Sequence, residues 1–280
     1  MKIVDTHQHL WDESMFSYPW LKDQTSTLRG GFQMKDYLAA TQGTTIYKSV
    51  HLECDVDEHF LLQETQYILS LAEQDNPLEG VVAGGRPDRS DFRTYLDLIT
   101  GHPKLKGIRR VLHNEPDDLA RSRHFIAGIR LLEEYDLSFD ICVLARQLPS
   151  AIDLVGECPG VSFILDHCGI PRVKERELHP WAENIEKLSG FSNVVCKISG
   201  LVAYADPQKW HPEDLRPFVE HVIKCFGWDR VMFGSDWPVC NRAATCGRWV
   251  DTLMYLTGNG GERNQRKLFQ ENAERVYRLV

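Results

Sequence analysis

Short apolar runs rich in Val, Ile and Phe recur along the chain, and most of them contain few polar residues. Near-continuous apolar character is typical of strands that helices cover on both faces, whereas strict alternation indicates a half-exposed strand. We therefore predict a buried strand in each of eight runs, at residues 3–9, 48–54, 80–86, 105–112, 138–143, 161–168, 194–199 and 230–235.

Helical patterns, with apolar residues three and four positions apart, separate several of these runs. The clearest patterns cover residues 57–74, 118–135, 213–226 and 262–277, and Pro217 is expected in a first helical turn, where proline is tolerated. Strands that alternate with helices pair in parallel through right-handed crossovers, and eight such units close a TIM barrel. The pattern predicts a single (β/α)8 TIM barrel that spans residues 1–280 as one domain.

An open, doubly wound sheet is the alternative arrangement for the same alternation of strands and helices. The first strand of such a sheet normally leads into a glycine-rich turn that binds phosphate. Here the first run ends in His7, Gln8 and His9 instead. This ending favours the closed barrel.

Charge and cysteine content limit the classes of partner and the compartment. The formal net charge of −8 argues against nucleic acid and against an anionic membrane surface. No apolar run approaches the roughly 18 residues of a membrane-spanning helix, and Asp5 and His7 are too polar for a signal-peptide core. None of the eight cysteines forms a CxxC pair, which indicates reduced thiols. We expect a cytoplasmic protein with a small-molecule partner, and homo-oligomerisation stays open.

Two histidines end the first predicted strand. Side chains alternate between the faces of a strand, so His7 and His9 project to the same side. The carboxyl ends of the strands form the active-site face of TIM barrels. Two imidazoles there can bind one divalent metal ion or donate and accept hydrogen bonds with a substrate. Two histidines at a solvated strand end are the structural alternative.

Polar residues of the same kinds end two later strands. The eighth run leads into Asp236 and the sixth contains His167 near its end. Because the last strand of a barrel neighbours the first, Asp236 is expected beside His7 and His9. A carboxylate there can accept a proton from water or ligate a metal ion. A turn aspartate and a buried core histidine are the structural alternatives.

Two further strand ends carry weaker candidates. Arg109 and Arg110 alternate along the fourth strand, so only one can face the barrel interior. We favour Arg109, which could bind a carboxylate or polarise a carbonyl oxygen. Glu53 at the end of the second strand could ligate a metal ion or bind a hydroxyl group.

Charged residues on other strands and two tryptophans complete the candidates. Asp140 and Lys197 lie on the fifth and seventh strands, where a buried ion pair is an equally good interpretation as substrate contact. Trp20 and Trp237 flank the expected barrel mouth and could provide an aromatic wall for a sugar ring, although core packing is the commoner use of tryptophan.

Several segments together resemble the amidohydrolase superfamily, and more narrowly its lactonase branch of sugar-lactone and pyrone-dicarboxylate hydrolases. They are VDTHQHLWD, YPWL, KGIRRVLH, RQLPSAIDLV, LDHCGIP and VMFGSDWPV, and they extend over nearly the whole chain. An HxH pair alone is common, but HxH, DHxG and GSDWP in this order are specific for the branch. They are less specific for the substrate.

The resemblance implies roles for the strand-end residues. It matches His7 and His9 to the strand-one pair, His167 to a later strand histidine, Asp236 to the catalytic aspartate and Arg109 to a strand-four arginine. Many superfamily members bind two metal ions through a carboxylated lysine and two more histidines. This chain offers no such lysine at the fourth strand end and only one of those histidines, which argues against a binuclear centre.

The implied cofactor is therefore at most one Zn2+, and the branch includes members that work without metal. The candidate ligands are His7, His9, Glu53 and Asp236. The implied reaction is hydrolysis of a sugar lactone such as L-fucono-1,5-lactone. Asp236, His9, His167 and Arg109 are the catalytic candidates, and the substrate-binding candidates are Glu53, Arg109, Asp140, Trp20 and Trp237.

Three other functions remain as alternatives. One is a metal-dependent decarboxylase of the same superfamily, and a second is a 2-pyrone-4,6-dicarboxylate lactonase. A pyrone dicarboxylate calls for several inward arginines, and only Arg109 is a firm candidate. The third is a non-catalytic barrel that binds a sugar acid, which would not need the His/His/His/Asp set.

Overall fold

Eight parallel strands form one sheet whose strand order follows the chain in a computed structural model that describes residues 1–24 and 26–279. The closing edges meet through backbone hydrogen bonds, from Asp236 N to His7 O (2.7 Å) and from His9 N to Trp237 O (2.8 Å). The predicted (β/α)8 TIM barrel is confirmed. The strands are β1 (Ile3–Gln8), β2 (Ile46–Leu52), β3 (Leu78–Gly84), β4 (Leu105–Val111), β5 (Ser138–Cys142), β6 (Phe163–Leu165), β7 (Val194–Ile198) and β8 (Val231–Phe233).

The sixth and eighth strands are shorter than the apolar runs that predict them. The chain leaves the sheet at Asp166 and at Gly234, and it then adopts left-handed backbone at His167 and Asp236. The apolar pattern continues past these points because the residues after the strands are also buried. Hydrophobicity alone therefore does not mark where these strands end.

Helices follow the strands and cover the outside of the barrel. The prediction that Pro217 lies in the first turn of its helix is wrong. The helix begins at Pro212, which places Pro217 in the second turn. The predicted helix 262–277 is divided by a π-helical segment, Lys267–Glu271. The helices are α1 (Met34–Ala40), α2 (Leu61–Ala72), α3 (Phe92–Ile99), α4 (Arg123–Glu134), α5 (Leu148–Glu157), α6 (Trp181–Ser189), α7 (Pro212–Phe226), α8 (Cys246–Thr257), α9 (Gly261–Arg266) and α10 (Asn272–Val276).

Apolar side chains pack on both sides of the sheet. The larger cluster lies between strands and helices, where residues such as Phe139 and Leu154 are fully buried. A smaller cluster joins strand residues to Tyr277 and Leu279 of the C-terminal segment, and its strand members include Val4, Val50, Val82, Ile164 and Met232. The C-terminal segment thus contributes directly to the core of the barrel.

The segment between β1 and α1 brings an aromatic cluster to the carboxyl ends of the strands. Trp11 and Phe32 belong to a short antiparallel hairpin, and their rings pack edge to face. Tyr18 and Leu21 are buried in the same cluster beside Leu61 of α2. This packing holds the Trp20 region next to β2.

Two further observations concern the predicted environment. Among the described residues, no helix is both long enough and apolar enough to cross a bilayer. All eight cysteines are free thiols, and seven of them are buried.

Candidate active site

Four side chains predicted from different strand ends converge at the carboxyl end of the barrel. The Nε2 atoms of His7, His9 and His167 lie 3.8, 3.6 and 3.9 Å from Oδ1 of Asp236. These distances exceed a normal hydrogen bond. The four side chains, which we call the catalytic cluster, therefore surround a common point and do not bond one another directly.

Unusual backbone conformations aim two members of this cluster. His167 has φ 51° and Asp236 has φ 58°, in the left-handed region that non-glycine residues seldom adopt. Such conformations cost on the order of 1–3 kcal/mol each and persist where surrounding packing enforces them. Both side chains are nearly fully buried in this arrangement. The strained backbone therefore sets the orientation of these two side chains.

Glycines leave room for two of the histidines. A Cβ atom on Gly200 would lie 2.5 Å from Nδ1 of His167, and one on Gly234 would lie 2.7 Å from Cβ of His7. Real Cβ atoms do not approach so closely, so a side chain at either position would displace a histidine. Gly200 also has φ 68°, which a glycine adopts without strain.

Hydrogen bonds define the tautomers of two histidines. Nδ1 of His9 lies 2.8 Å from the carbonyl oxygen of Leu52, which can only accept, so Nδ1 carries the proton. Burial lowers the pKa of His7 well below its usual value, and its Nδ1 lies 3.3 Å from Oδ1 of Asp166. Nε2 of His9 therefore presents a lone pair toward Asp236, whereas Nε2 of His7 accepts from Nη1 of Arg109. Such acceptors can bind a water molecule or a cation.

A second group of buried charged residues lies below the catalytic cluster. Lys197 is fully buried, with Nζ 2.6 Å from Oδ2 of Asp140 and 3.1 Å from Oδ1 of Asp166. Burial alone would raise the pKa of Asp166, but Lys197, His7 and Arg109 hold it well below its usual value. We call this group the inner polar layer, and its members are Glu53, Arg109, Asp140, Asp166 and Lys197.

Arg109 joins the inner polar layer to the catalytic cluster. Its Nη1 lies 3.3 Å from Nε2 of His7 and 3.3 Å from Oδ2 of Asp166, and its Nε donates to Oε1 of Glu53 at 2.9 Å. Arg110 points away and pairs with Glu115. The structure thus places Arg109, and not Arg110, on the barrel interior.

Two predicted site carboxylates lie elsewhere than expected. Both carboxylate oxygens of Glu53 are engaged, by Arg109 and by the backbone N–H of Asp55 (2.6 Å), so Glu53 is separate from the possible metal ligands. Asp140 is fully buried against Lys197 and accepts a hydrogen bond from Tyr277 (2.8 Å). Nearby cations, which strand alternation does not reveal, draw both carboxylates into the protein. Their predicted contacts with substrate are corrected accordingly.

Trp237 is also placed differently from Trp20. Trp237 is 2% exposed, and its ring packs edge to face against Phe32 and Tyr37, so it belongs to the core and does not line the cavity. Trp20 lines the cavity above the catalytic cluster, and its Nε1 donates to the carbonyl of Cys54 at 2.7 Å. Of the two tryptophans predicted to form an aromatic wall, Trp20 lines the cavity and Trp237 does not.

A cavity of about 580 Å³ opens above the catalytic cluster. His9, His167, Arg109 and Asp236 reach it from below. Its remaining polar wall was not predicted from the sequence and consists of Gln24, Asp55, His113, Asn114, Tyr204 and Arg242. Burial and the neighbouring Glu53 raise the pKa of Asp55 to about 6.

The residues that sequence reasoning missed gave different signals. Asp166 directly precedes His167 at a strand end, so the DHxG motif itself pointed to it. Asp55 lies two residues after Glu53, beyond the strand, where alternation no longer tells which way a side chain points. Tyr204 and Arg242 lie on loops between strands and helices, and nothing in the local pattern marks them.

Two sets of side chains could hold a metal ion. The ligand atoms of His7, His9 and Asp236 lie within 4.8 Å of one another, as do those of His7, Asp166 and His167. Asp166 is already bound by Lys197 and Arg109, which favours the first set. Ligands of a tetrahedral zinc ion are about 3.3 Å apart for bond lengths near 2.0–2.1 Å, close to the spacing in that set. Its donor types and spacing fit one Zn2+.

Known proteins resemble the chain along almost its full length. A family model described as Amidohydrolase matches residues 4–279. An L-fucono-1,5-lactonase of Burkholderia multivorans is 30% identical over 295 residues, which cover 99% of this chain and 96% of that protein. An L-fucono-1,5-lactonase of Burkholderia ambifaria is 27% identical over 289 residues, which cover 99% and 95%.

A solved structure extends this similarity to three dimensions. An amidohydrolase from Burkholderia multivorans, crystallised with bound zinc, superposes with a TM-score of 0.91 at 26% identity and with full coverage of both chains. The match includes the barrel and its connecting segments. The motifs that suggested a superfamily are therefore part of a resemblance that covers the entire fold.

Proposed function

Because the chain belongs to the amidohydrolase family, we propose that it hydrolyses sugar lactones, with L-fucono-1,5-lactone as the representative substrate. The observation that carries this proposal is the convergence of Asp236 with three histidines at the base of one cavity. Two L-fucono-1,5-lactonases among the relatives support the choice of substrate.

Asp236 is the proposed general base. Its carboxylate takes a proton from a water molecule, whose oxygen attacks the carbonyl carbon of the lactone. The ring C–O bond of the tetrahedral intermediate then breaks, and the proton passes from Asp236 to the departing ring oxygen. The product is an open-chain hydroxy acid, and water is the sole co-reactant.

Arg109 and His167 are the proposed groups that stabilise the oxyanion. Nη2 of Arg109 donates one hydrogen bond, to the carbonyl of Glu53 (2.6 Å), which leaves its second N–H available. Nδ1 of His167 lies 2.9 Å from the hydroxyl of Ser199, and a hydroxyl can donate to it, so Nε2 can carry the proton toward the cavity. Donors that already point at the developing charge lower the barrier without reorganisation.

His9 has a narrower role than the sequence suggests. Since its Nδ1 proton is committed to the carbonyl of Leu52, its Nε2 is an acceptor and does not donate to an oxyanion. We propose that it orients the attacking water molecule or binds a metal ion. The inner polar layer holds His7 in a matching orientation through Asp166.

We propose one Zn2+ site formed by His7, His9 and Asp236. Formal charge supports a divalent cation. The inner polar layer and the catalytic cluster together contain the two cations Arg109 and Lys197, and their four carboxylates are those of Glu53, Asp140, Asp166 and Asp236. When bound, such an ion supplies Lewis acidity for the lactone carbonyl. Arg109 must give up its contact with Nε2 of His7 for that nitrogen to become a ligand.

A panel of lactones in a pH-indicator assay tests the proposal, after subtraction of spontaneous hydrolysis. We expect acid release from L-fucono-1,5-lactone by the wild type and its loss in Asp236→Asn. The panel includes a pyrone dicarboxylate, because Arg242 is a second arginine on the cavity. Failure to open any lactone, together with CO2 release from an aromatic acid, would favour the decarboxylase instead.

The metal proposal has its own readout. Elemental analysis of the purified wild type, of His9→Ala and of a chelator-treated sample measures bound zinc directly. We expect about one Zn2+ per chain after reconstitution of the wild type and much less in the variant. Equal zinc content in both proteins would refute this ligand set, whatever the activity.

A further inference from the structure

We infer that Asp55, with Trp20 beside it, selects the substrate by binding its hydroxyl groups in the cavity above the catalytic cluster. The inference rests on the proposed function, because it assigns the rest of the lactone ring to this wall. Both side chains line the same cavity as His9 and Asp236.

The backbone at Asp55 is held in an uncommon conformation that directs its side chain. Its φ is 50°, in the left-handed region, and its N–H donates to Oε2 of Glu53 at 2.6 Å. Glu53 is in turn bound to Arg109. The position of Asp55 is thus coupled to the buried charges below the catalytic cluster and does not depend on a free loop.

The carboxylate of Asp55 has no hydrogen-bond donor among residues 1–24 and 26–279. The nearest cation is Arg86, whose Nη2 lies 4.0 Å away, beyond hydrogen-bond distance, and the side chain is only 31% exposed. Because this side chain is partly exposed at the cavity, water or a ligand can supply the donors that the protein does not. A carboxylate that faces a cavity without a protein donor is well suited to accept hydrogen bonds from a ligand.

Trp20 makes this wall suitable for a sugar. Its Nε1 is fixed to the carbonyl of Cys54, the residue before Asp55, so the indole and the carboxylate are held side by side. The apolar face of an indole packs against the C–H groups of a sugar ring, while a carboxylate accepts from its hydroxyl groups. Together they fit a polyhydroxylated ring better than a plain hydrocarbon lactone.

Two substitutions separate the side chain from the backbone. Asn tolerates left-handed φ and keeps an acceptor oxygen without the charge, and glycine removes the side chain without strain. L-fucono-1,5-lactone is compared with δ-valerolactone, which has no hydroxyl groups. We expect Asp55→Asn and Asp55→Gly to lower kcat/KM for the sugar lactone by about 10- to 100-fold more than for δ-valerolactone.

Asp57→Asn is the matched control. Asp57 carries the same charge on the same loop, but it caps the following turn by accepting from the N–H of His59 and does not line the cavity. We expect equal small effects of this variant on both lactones. Calorimetric titration with L-fuconate adds a second readout, with binding at least about tenfold weaker in both Asp55 variants.

The outcomes distinguish this inference from the proposed function. If the wild type opens neither lactone, the proposed function fails and the inference fails with it. If the wild type is active but the Asp55 variants lose activity equally on both lactones and bind L-fuconate normally, Asp55 does not select hydroxyl groups. A preferential loss on the sugar lactone, absent from Asp57→Asn, supports the inference.

Discussion

The inner polar layer and the catalytic cluster are adjacent, but they differ in how their carboxylates are paired. In the inner polar layer each carboxylate lies against a lysine or an arginine, as Asp140 and Asp166 lie against Lys197. In the catalytic cluster, Asp236 faces three nitrogens at 3.6–3.9 Å without a direct hydrogen bond to any of them. The groups that the protein pairs can maintain the geometry, and the groups that it leaves unpaired are available for the proposed chemistry.

The largest expected effect comes from the catalytic cluster itself. Asp236→Asn keeps the shape of the side chain but cannot accept a proton from water. We expect turnover of L-fucono-1,5-lactone to fall by about 10²–10⁴-fold. Asp236 has few stabilising partners, so the free energy of unfolding should change little. Turnover near the wild-type value would remove Asp236 from the role of base.

The inner polar layer should respond in stability. Lys197→Met leaves Asp140 and Asp166 buried without their common cation, and loss of one partner of a buried ion pair costs about 3–5 kcal/mol. Urea unfolding measures this loss. The control is Lys187→Met, at an exposed position on α6. Equal stability of the two variants would show that the layer is not structural.

Glycine substitutions can test the packing that orients His167 in the catalytic cluster. Gly200→Ala places a methyl group against the ring of His167, and Gly227→Ala places one in open space at the same φ of 68°. Both should lose stability from backbone strain, about 1–2 kcal/mol in Gly200→Ala and more in Gly227→Ala, because the ψ of 171° at Gly227 lies in a region that is essentially restricted to glycine. We expect turnover to fall about 10²-fold in Gly200→Ala alone, because displacement of a catalytic group is that costly. Equal turnover in the two variants would contradict the proposed orientation of His167.

A pH-dependent effect tests a buried polar group outside both regions. Burial and Glu53 raise the pKa of Glu64 on α2 to about 8 from an ordinary 4.5, so the folded state favours its neutral form. The wild type should then lose stability as the pH rises from about 5 to 8, by at most about 1.4 kcal/mol per pH unit. We expect Glu64→Gln to remove this component, whereas Glu186→Gln on the surface should not. Parallel curves of stability against pH for Glu64→Gln and the wild type would refute this role of Glu64.

The barrel and its catalytic cluster could be predicted because strand ends obey a simple rule. His7, His9, His167 and Asp236 each lie at or just beyond the carboxyl end of a strand, and these ends of parallel strands meet on one face. Alternation also separated Arg109 from Arg110. These predictions needed only the strand positions and the closure of the sheet.

The rest of the site depends on contacts between distant residues. Glu53 directly follows a strand and Asp140 lies in the middle of one, and their contacts with Arg109 and Lys197 keep both carboxylates inside the protein. Asp55 faces the cavity because its backbone adopts a left-handed conformation after β2. The neighbouring residues in the sequence do not predict that conformation. Which charges are paired and which stay free becomes visible only when the barrel is closed.

A crystal structure with L-fuconate, the ring-opened product, tests most directly whether this cavity opens sugar lactones at Asp236. We expect the carboxylate of the product to lie within hydrogen-bond reach of Arg109 and His167, next to Asp236, and its hydroxyl groups to lie against Asp55. A product bound the other way round, with its carboxylate at Arg242 on the cavity wall, or bound outside the cavity, would contradict both the reaction centre and the orientation of the substrate.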